Sequence, residues 1–146
     1  MYILSEESKI ASNFILRITK EEWFKQVFTI KKYYPGIIRR WKEGSLIFLI
    51  RRSDRGDSLV GYGIVGKFVK REFPQDYEKR ECERMGWKGA ILFDELYRFE
   101  LPLPIKETFL GGFKARGRCW HGYPLTDKQA YDILETAKSL CDIKKT

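Results

Sequence analysis

The sequence lacks the features that usually indicate a catalytic or metal-binding protein. It has one histidine, His121, and the patterns GxSxG, HExxH and GxxxxGK[ST] are all absent. Its three cysteines, Cys82, Cys119 and Cys141, are widely spaced, so they form neither a disulfide framework nor a CxxC metal pattern. We therefore expect no metal, no cofactor and no disulfide, and a reducing, cytoplasmic compartment.

Long hydrophobic runs are missing as well. No apolar stretch approaches the roughly 18 residues that a membrane-spanning helix requires. The first residues, MYILSEESK, show no basic segment followed by an apolar core, so no secretory signal is expected. Because 43% of the residues are hydrophobic and 15% aromatic, the 146 residues are predicted to fold as a single domain, with 1–9 and 143–146 as loose ends.

The chain does contain two strong strand patterns at its centre. The run Leu46–Ile50, LIFLI, is apolar at every position and predicts a strand buried on both faces. The next pattern, residues 59–69, contains Gly61, Gly63 and Gly66, which predict bulges or bends. These glycines match GxGxxG, but they lie inside a predicted strand, so we interpret them as shaping the backbone.

Three helices are predicted around these strands. The first covers residues 20–28 behind a capping box of Thr19 and Glu22, and the second runs from Pro74 to Gly86. The last covers 127–141 and begins with a capping box of Thr126 and Gln129.

The remaining elements are predicted to be short strands and turns. Strands are expected at 14–18, 87–93 and 97–101, with a turn at 94–95, while 29–44 is irregular. The order predicts an α+β fold with a mostly antiparallel, curled sheet or open pseudo-barrel and flanking helices.

Positive charge is concentrated in one part of the chain. Residues 31–71 contain eleven Lys and Arg against three carboxylates, so this segment carries the whole net charge of +8. Tyr33, Tyr34, Trp41 and Tyr62 are interleaved with the basic residues. Basic and aromatic residues in one segment favour a nucleic-acid-binding protein, and a solvated basic surface is the alternative.

Two groups of side chains are predicted to contact a nucleic acid. Stacking and hydrogen-bonding side chains recognise unpaired bases, while Lys and Arg contact phosphates. We expect phosphate contacts from Lys31, Lys32, Arg39, Arg40, Arg51 and Arg52, and base contacts from Trp41, Tyr62, Arg116, Arg118, Trp120 and His121. Lys114, Arg116 and Arg118 alternate and would share one face of an extended chain.

Some aromatic residues have a second interpretation. Trp41 and Trp120 are equally consistent with core packing, because tryptophan buries a large apolar area. Trp23 is either a stacking platform or an anchor of the first helix on the sheet, and its helical spacing with Val27 and Phe28 favours the anchor.

The element order resembles the PUA-like superfamily, in particular EVE-type and ASCH-type domains and small archaeal proteins of unknown function. The likeness covers 14–140 and rests on FILRI, KEEWFKQVF, the basic segment ending in WKEGS, LIFLI, LVGYGIVGKFV and the closing GRCWHGYPLTDKQAYDILETA. The ASCH signature GxKxxExR is absent. The resemblance implies a single PUA-like domain with a cleft for RNA, or for a modified base in DNA or RNA.

Three functions follow as hypotheses. The first is a non-enzymatic domain that binds RNA or a modified or extruded base through a basic aromatic cleft. The second is an RNA-processing or nucleotide-acting enzyme that uses Cys119 or His121, for which no third orienting group is identifiable. The third is a protein-interaction module with a basic face. The first hypothesis requires residues 31–42 and 114–121 to line the same cleft.

Overall fold

The computed structural model describes residues 12–72 and 76–146. In this part of the chain, seven strands form one mixed sheet with three α-helices. The helices are α1 (Glu21–Ile30), α2 (Asp76–Met85) and α3 (Asp127–Leu140). The strands are β1 (Asn13–Arg17), β2 (Lys32–Tyr33), β3 (Leu46–Ser53), β4 (Gly56–Lys70), β5 (Gly89–Pro104), β6 (Tyr123–Leu125) and β7 (Ile143–Lys145).

The strand order across the sheet is β2-β5-β4-β3-β1-β6, and β7 pairs with β5 beside β2. Only the β1–β3 pair is parallel among the described strands, with Phe14 opposite Ile47. The sheet is curled but not closed into a barrel. The predicted α+β class with a mostly antiparallel sheet is therefore confirmed.

Strand β3 lies between two hydrophobic layers. Ile47 and Leu49 belong to a cluster of buried side chains under α1, and Phe48 and Ile50 belong to a second cluster under α3. All four side chains are fully buried. A strand that is apolar at every position fits because both faces of the sheet are covered here, as the LIFLI pattern predicts.

The glycines of β4 act on backbone shape, as predicted. The pairing of β4 with β5 shifts register beside Gly61 and again between Ile64 and Lys67. A Cβ on Gly63 would lie 2.5 Å from Cδ1 of Phe93, so no larger residue fits without displacing that ring. Strand β4 thus curls around side chains of β5 that pack closely against it.

The helix boundaries confirm one capping box and correct the other. Thr126 caps α3, because the Gln129 N–H donates to its Oγ1 at 3.2 Å and the Thr126 N–H donates to Gln129 Oε1 at 3.0 Å. Helix α1 begins at Glu21 with Lys20 as its N-cap and no side-chain cap. The Thr19–Glu22 box is therefore wrong, because Thr19 stands one residue too early.

Helix α2 ends as expected. Gly86 follows its last residue with φ of 75°, a left-handed conformation that glycine adopts without strain. Pro74, predicted for the first turn, lies outside the described residues, as do residues 1–9. None of the helices within 12–72 and 76–146 is long and apolar enough to cross a membrane.

Two predicted boundaries along β5 are wrong. The expected turn at 94–95 is continuous strand, since Glu95 pairs with Ile64 of β4 and β5 runs on to Pro104. The expected loose end 143–146 is instead strand β7, which pairs with residues 97–99. The Thr146 N–H donates to the Leu96 carbonyl at 2.8 Å, so β7 uses backbone groups that the edge of β5 would otherwise expose.

Candidate functional site

Three of the predicted stacking rings lie in the hydrophobic core. The side chains of Trp41, Tyr62 and Trp120 are only 7%, 6% and 3% exposed. Trp41 packs edge-on against Phe14, and Tyr62 stacks on Tyr97 with ring centroids 4.7 Å apart. This burial contradicts a stacking role for the three rings and agrees with the alternative of core packing.

The predicted basic residues at 114–118 lie in an exposed loop. Residues 114–116 are irregular between the 3-10 helices 109–112 and 117–120, and Arg116 has extended backbone angles. Lys114, Arg116 and Arg118 alternate with the less exposed residues 113, 115 and 117. Both Arg116 and Arg118 are exposed. The Arg116 guanidinium donates to the carbonyls of Phe113 and Ala115 at 3.1 and 2.9 Å, which holds it against its own loop.

His121, in contrast, does meet the basic segment. It lines a cavity of about 210 Å³ together with side chains of α1, of β2 and its following loop, and of the end of α2. We call this cavity the aromatic pocket. Its lining residues are Trp23, Gln26, Tyr33, Tyr34, Gly36, Met85, Trp87 and His121. Residues from 31–42 and from 114–121 therefore share one cleft, as the first hypothesis requires.

One wall of the aromatic pocket is a stacked pair of rings. Tyr34 and Trp87 lie with centroids 4.8 Å apart and an interplanar angle of 20°. The Tyr34 hydroxyl donates to Glu78 Oε2 at 2.8 Å, and the same oxygen lies 3.3 Å from Lys32 Nζ. Burial and the Glu78 carboxylate raise the pKa of Tyr34 above its ordinary value, so the phenol stays neutral. Glu78 of α2 thereby holds the ring of Tyr34, the first residue after β2.

His121 is held as a neutral imidazole. Its Nδ1 accepts the backbone N–H of Arg17 at 3.0 Å, so the ring proton is on Nε2. Burial lowers the pKa of His121 below its ordinary 6.5, and the positive charge of the Arg39 guanidinium acts in the same direction. The pocket therefore has an imidazole N–H donor without a formal charge.

Arg39 joins the basic segment to the turn that contains His121. Its Nε donates to the Gly122 carbonyl at 2.9 Å, and its Nη1 donates to the Ile38 carbonyl at 2.8 Å. Gly122 has φ of 76°, and a Cβ there would lie 2.3 Å from Cδ1 of Ile37. The two segments meet this closely because residue 122 has no side chain.

The six predicted phosphate-binding residues fall into two groups. Lys31, Lys32, Arg39 and Arg40 lie on the segment that borders the aromatic pocket, and Lys32 is paired with Glu78. Arg51 and Arg52 line a separate cavity beside Phe24. Arg51 is 2.5 Å from Glu21 Oε2, and its guanidinium lies 4.7 Å from the centre of the Phe24 ring. The basic block is thus divided between two surfaces.

The comparisons with known proteins bear on the fold. No protein-family model matches the sequence, and no curated protein gives a significant match. The solved structure "Crystal structure of ASCH from Zymomonas mobilis" superposes with a TM-score of 0.59 and 13% identity, over 90% of this chain and 96% of that one. The chain therefore shares the fold of this ASCH structure. At this identity the match shows the fold alone, and the resemblance to archaeal proteins stays a prediction.

The fold brings together residues that the sequence did not single out. Trp87 and Met85 were absent from the predicted site, and Tyr33 and Tyr34 were noted only as aromatic neighbours of the basic residues. Trp23 packs against the buried cluster under α1, as its anchor interpretation predicts, and it also lines the pocket. The Tyr33–Tyr34 pair within the basic segment was the sequence feature that could have predicted this pocket. No local pattern indicated that Trp87 would line it.

No catalytic arrangement is evident around the cysteine and histidine within the described residues. Cys119 is exposed on a 3-10 turn, and no hydrogen bond joins it to His121 in the described part of the chain. The His121 Nδ1 is already occupied by a backbone N–H, so it is not free to accept a proton from a nucleophile. Within 12–72 and 76–146, no group of three metal-binding side chains occurs.

Proposed function

We propose that this domain binds single-stranded nucleic acid, with RNA as the first candidate, by accepting an unpaired or extruded base in the aromatic pocket. The observation that carries this proposal is an uncharged, aromatic pocket bordered by the basic segment 31–42. A base has flat apolar faces and a polar edge, and the backbone that carries it is anionic. The uncharged aromatic pocket suits the base, and the basic segment that borders it suits the anionic backbone. The proposal extends to a modified base in RNA or DNA.

The pocket offers contacts to both parts of a base. Trp23 and the Tyr34–Trp87 pair provide aromatic surfaces, and stacking of a base on such a ring contributes about 1–3 kcal/mol. The amide of Gln26 has both a donor and an acceptor, and His121 offers its Nε2 donor. These polar groups suit the hydrogen-bonding edge of a base that is not paired with another strand.

The surrounding cations favour a polyanionic ligand over an isolated base. Lys31, Arg39 and Arg40 lie on the pocket segment, and Lys20 Nζ lies 4.7 Å from the centre of the Trp23 ring. Cations that neutralise phosphates release bound counterions, so binding should weaken as salt increases. The ASCH-type fold supports an RNA-binding role in general terms.

The proposal is tested with short single-stranded RNA and DNA oligonucleotides, whose binding is followed by fluorescence anisotropy at increasing salt. We expect measurable affinity at low salt and a negative slope of log affinity against log salt. Trp87→Ala should lower the affinity about tenfold, in line with the loss of one stacking contact, and should leave the slope unchanged. Tyr131→Ala is the matched control, because this exposed ring lies on α3 across the sheet.

Two results would overturn the proposal. One is the absence of binding at low salt, and the other is an affinity that does not respond to salt, since a phosphate-binding surface must release counterions. An acidic protein partner that binds equally well in the presence of excess RNA would instead support an interaction module with a basic face.

A further inference from the structure

A second cavity lies next to the aromatic pocket and has the opposite character. It has a volume of about 360 Å³ and four cationic side chains among its lining residues, against one carboxylate, for a net charge of three positive. We call it the cationic pocket. Its lining residues are Ile38, Arg39, Trp41, Phe68, Lys70, Arg71, Glu72 and Lys88. The carboxylate of Glu72 lies 3.6 Å from Arg71 Nε, which leaves three cations unmatched within the lining.

The two pockets share a wall. Trp87 lines the aromatic pocket and Lys88 lines the cationic pocket, and the Cα atoms of consecutive residues are about 3.8 Å apart. Gly36 lines the aromatic pocket, and Ile38, two residues later, lines the cationic pocket. The Lys88 N–H donates to the Pro35 carbonyl at 2.8 Å, so the two halves of the wall are bonded to each other. Residues that line the two pockets are thus neighbours in sequence and are joined by a backbone hydrogen bond.

Arg39 connects the pockets from the other side. It lines the cationic pocket, while its Nε donates at 2.9 Å to the carbonyl of Gly122, the residue after His121. The same guanidinium helps to keep His121 neutral. A bound anion near Arg39 would thus lie close to the polar edge of the aromatic pocket.

Trp41 is a largely buried member of the lining of the cationic pocket. Its Nε1 is buried and has no hydrogen-bond partner in the part of the chain that the structure describes. Native proteins contain few such donors, because a buried donor without a partner costs about 1–3 kcal/mol. The ring belongs to the lining of the cationic pocket, where Phe68 and the largely exposed Ile38 add apolar surface.

We infer that the two pockets together bind one nucleotide unit, with the base in the aromatic pocket and the phosphate attached to its own sugar in the cationic pocket. This inference rests on the proposed function and makes it more specific, since it names the ligand as a nucleotide with a phosphate on its 5′ or 3′ oxygen. An aromatic, uncharged cavity and a cationic cavity with a common wall correspond to the two chemically different halves of such a unit. A phosphate in the middle of a strand has the same chemistry and would occupy the same position.

The test compares each nucleoside with its 5′- and 3′-monophosphates, using intact protein, calorimetry for affinity and phosphorus NMR for the phosphate. For at least one base, we expect one monophosphate isomer to bind about tenfold more tightly than the nucleoside, as charge-assisted hydrogen bonds to a phosphate would give. That gain should shrink as salt increases. The phosphorus signal of the tighter isomer should shift on binding.

Two variants separate the pockets. Lys70→Gln with Lys88→Gln should remove the gain from the phosphate and leave nucleoside affinity unchanged, while Trp87→Ala should weaken nucleoside and nucleotide by the same factor. Lys128→Gln with Lys138→Gln, on the exposed side of α3, removes the same charge and should change neither.

The outcomes distinguish this inference from the proposed function. If a nucleoside binds and neither monophosphate binds more tightly, the inference of a shared nucleotide site is wrong. The proposed binding of a base in the aromatic pocket is then still supported. If the phosphate gain survives in the Lys70–Lys88 double variant, the phosphate lies elsewhere and the inference is overturned. If no nucleoside or nucleotide binds, the inference is overturned, and the oligonucleotide titration at low salt decides the proposed function separately.

Discussion

The two faces of the sheet contain similar residue types and differ in whether a ring remains accessible. On the face under α3, Tyr62, Phe99 and Trp120 are surrounded by the 3-10 segment and the helix, and their side chains are 3–6% exposed. On the face under α1, Trp23 and Trp87 stay half-buried and line a cavity. The comparison teaches that an aromatic ring stays partly accessible here only where no later element covers it.

The difference has a local cause at the end of α1. Lys31 follows the helix with φ of 56°, the one positive value among the described non-glycine residues, and directs the chain into β2. The helix therefore stops at Ile30 and the chain passes directly into β2, next to Tyr34, which lines the aromatic pocket with Trp87. On the opposite face, three 3-10 turns between residues 105 and 120 fill the corresponding space.

Truncating one tryptophan on each face of the sheet tests this difference most directly. Trp120→Ala should lower the free energy of unfolding by about 3–5 kcal/mol, because it empties a packed core. Trp87→Ala should cost less than half as much, since Trp87 belongs to neither buried cluster. Urea unfolding measures both. Equal losses would show that the aromatic pocket is a structural core and not an open cavity.

A smaller effect is expected where the two segments of the aromatic pocket meet. Gly122→Ala forces a side chain into a left-handed conformation and against Ile37, and should cost about 1–3 kcal/mol of stability. It should also weaken base binding, because it displaces Arg39 from the Gly122 carbonyl. Gly112→Ala is the control, as its Cβ would meet nothing within 4 Å. A Gly122 variant that matches this control in stability and binding would refute the interlocking of the two segments.

The hydrogen bond that fixes the pocket wall should contribute less. Tyr34→Phe keeps the ring that stacks on Trp87 and removes the donor to Glu78, so we expect about 0.5–1.5 kcal/mol of lost stability. Base affinity should fall by less than in Trp87→Ala. A larger binding defect in Tyr34→Phe than in Trp87→Ala would mean that the hydroxyl itself contacts the ligand.

The smallest expected effect is a dependence of stability on pH. The folded state holds His121 neutral with a lowered pKa, so the unfolded chain binds more protons as the pH falls. The contribution of neutral His121 to the free energy of unfolding is fully present above its ordinary pKa of 6.5. This contribution is lost as the pH decreases through the lowered pKa of the folded state. Because the chain has one histidine, urea midpoints followed from neutral pH to mild acid should report mainly on this group.

His121→Asn is the matching control for that titration. The Asn side-chain oxygen can replace Nδ1 as the acceptor for the Arg17 N–H but does not titrate. Its stability should therefore change less over the same pH range. A variant that loses stability in acid as steeply as the natural protein would assign the effect to carboxylates instead.

Local patterns account for the parts of the fold that were predictable. The buried strand at Leu46–Ile50, the bends at Gly61 and Gly63, and the Thr126–Gln129 capping box each depend on residues close in sequence. The expected turn at 94–95 was wrong because pairing with β4 outweighs the weak strand preference of Asp and Glu. The tail at 143–146 became a strand for the same reason, since the edge of β5 supplies its partners.

The candidate site was predictable only in part, because its walls come from distant segments. His121 and the basic residues at 31–40 were identified from composition and now border one cleft. Trp87 enters that cleft through α2, and its role depends on how the Tyr34–Glu78 contact positions that helix. Tyr62 and Trp120 fit the same composition but are covered by the 3-10 turns, which no local pattern predicted.

The parallel pairing of β1 with β3 has a consequence for where a site can evolve. Parallel neighbours require a crossover of a dozen or more residues, and here it leaves β1, crosses the sheet as α1, pairs with β5 as β2 and returns to β3. The expected irregular stretch at 29–44 is therefore part of this crossover, with 29–30 in α1 and 32–33 in β2. Exposed side chains along the crossover can change without altering the register of the strands that it connects.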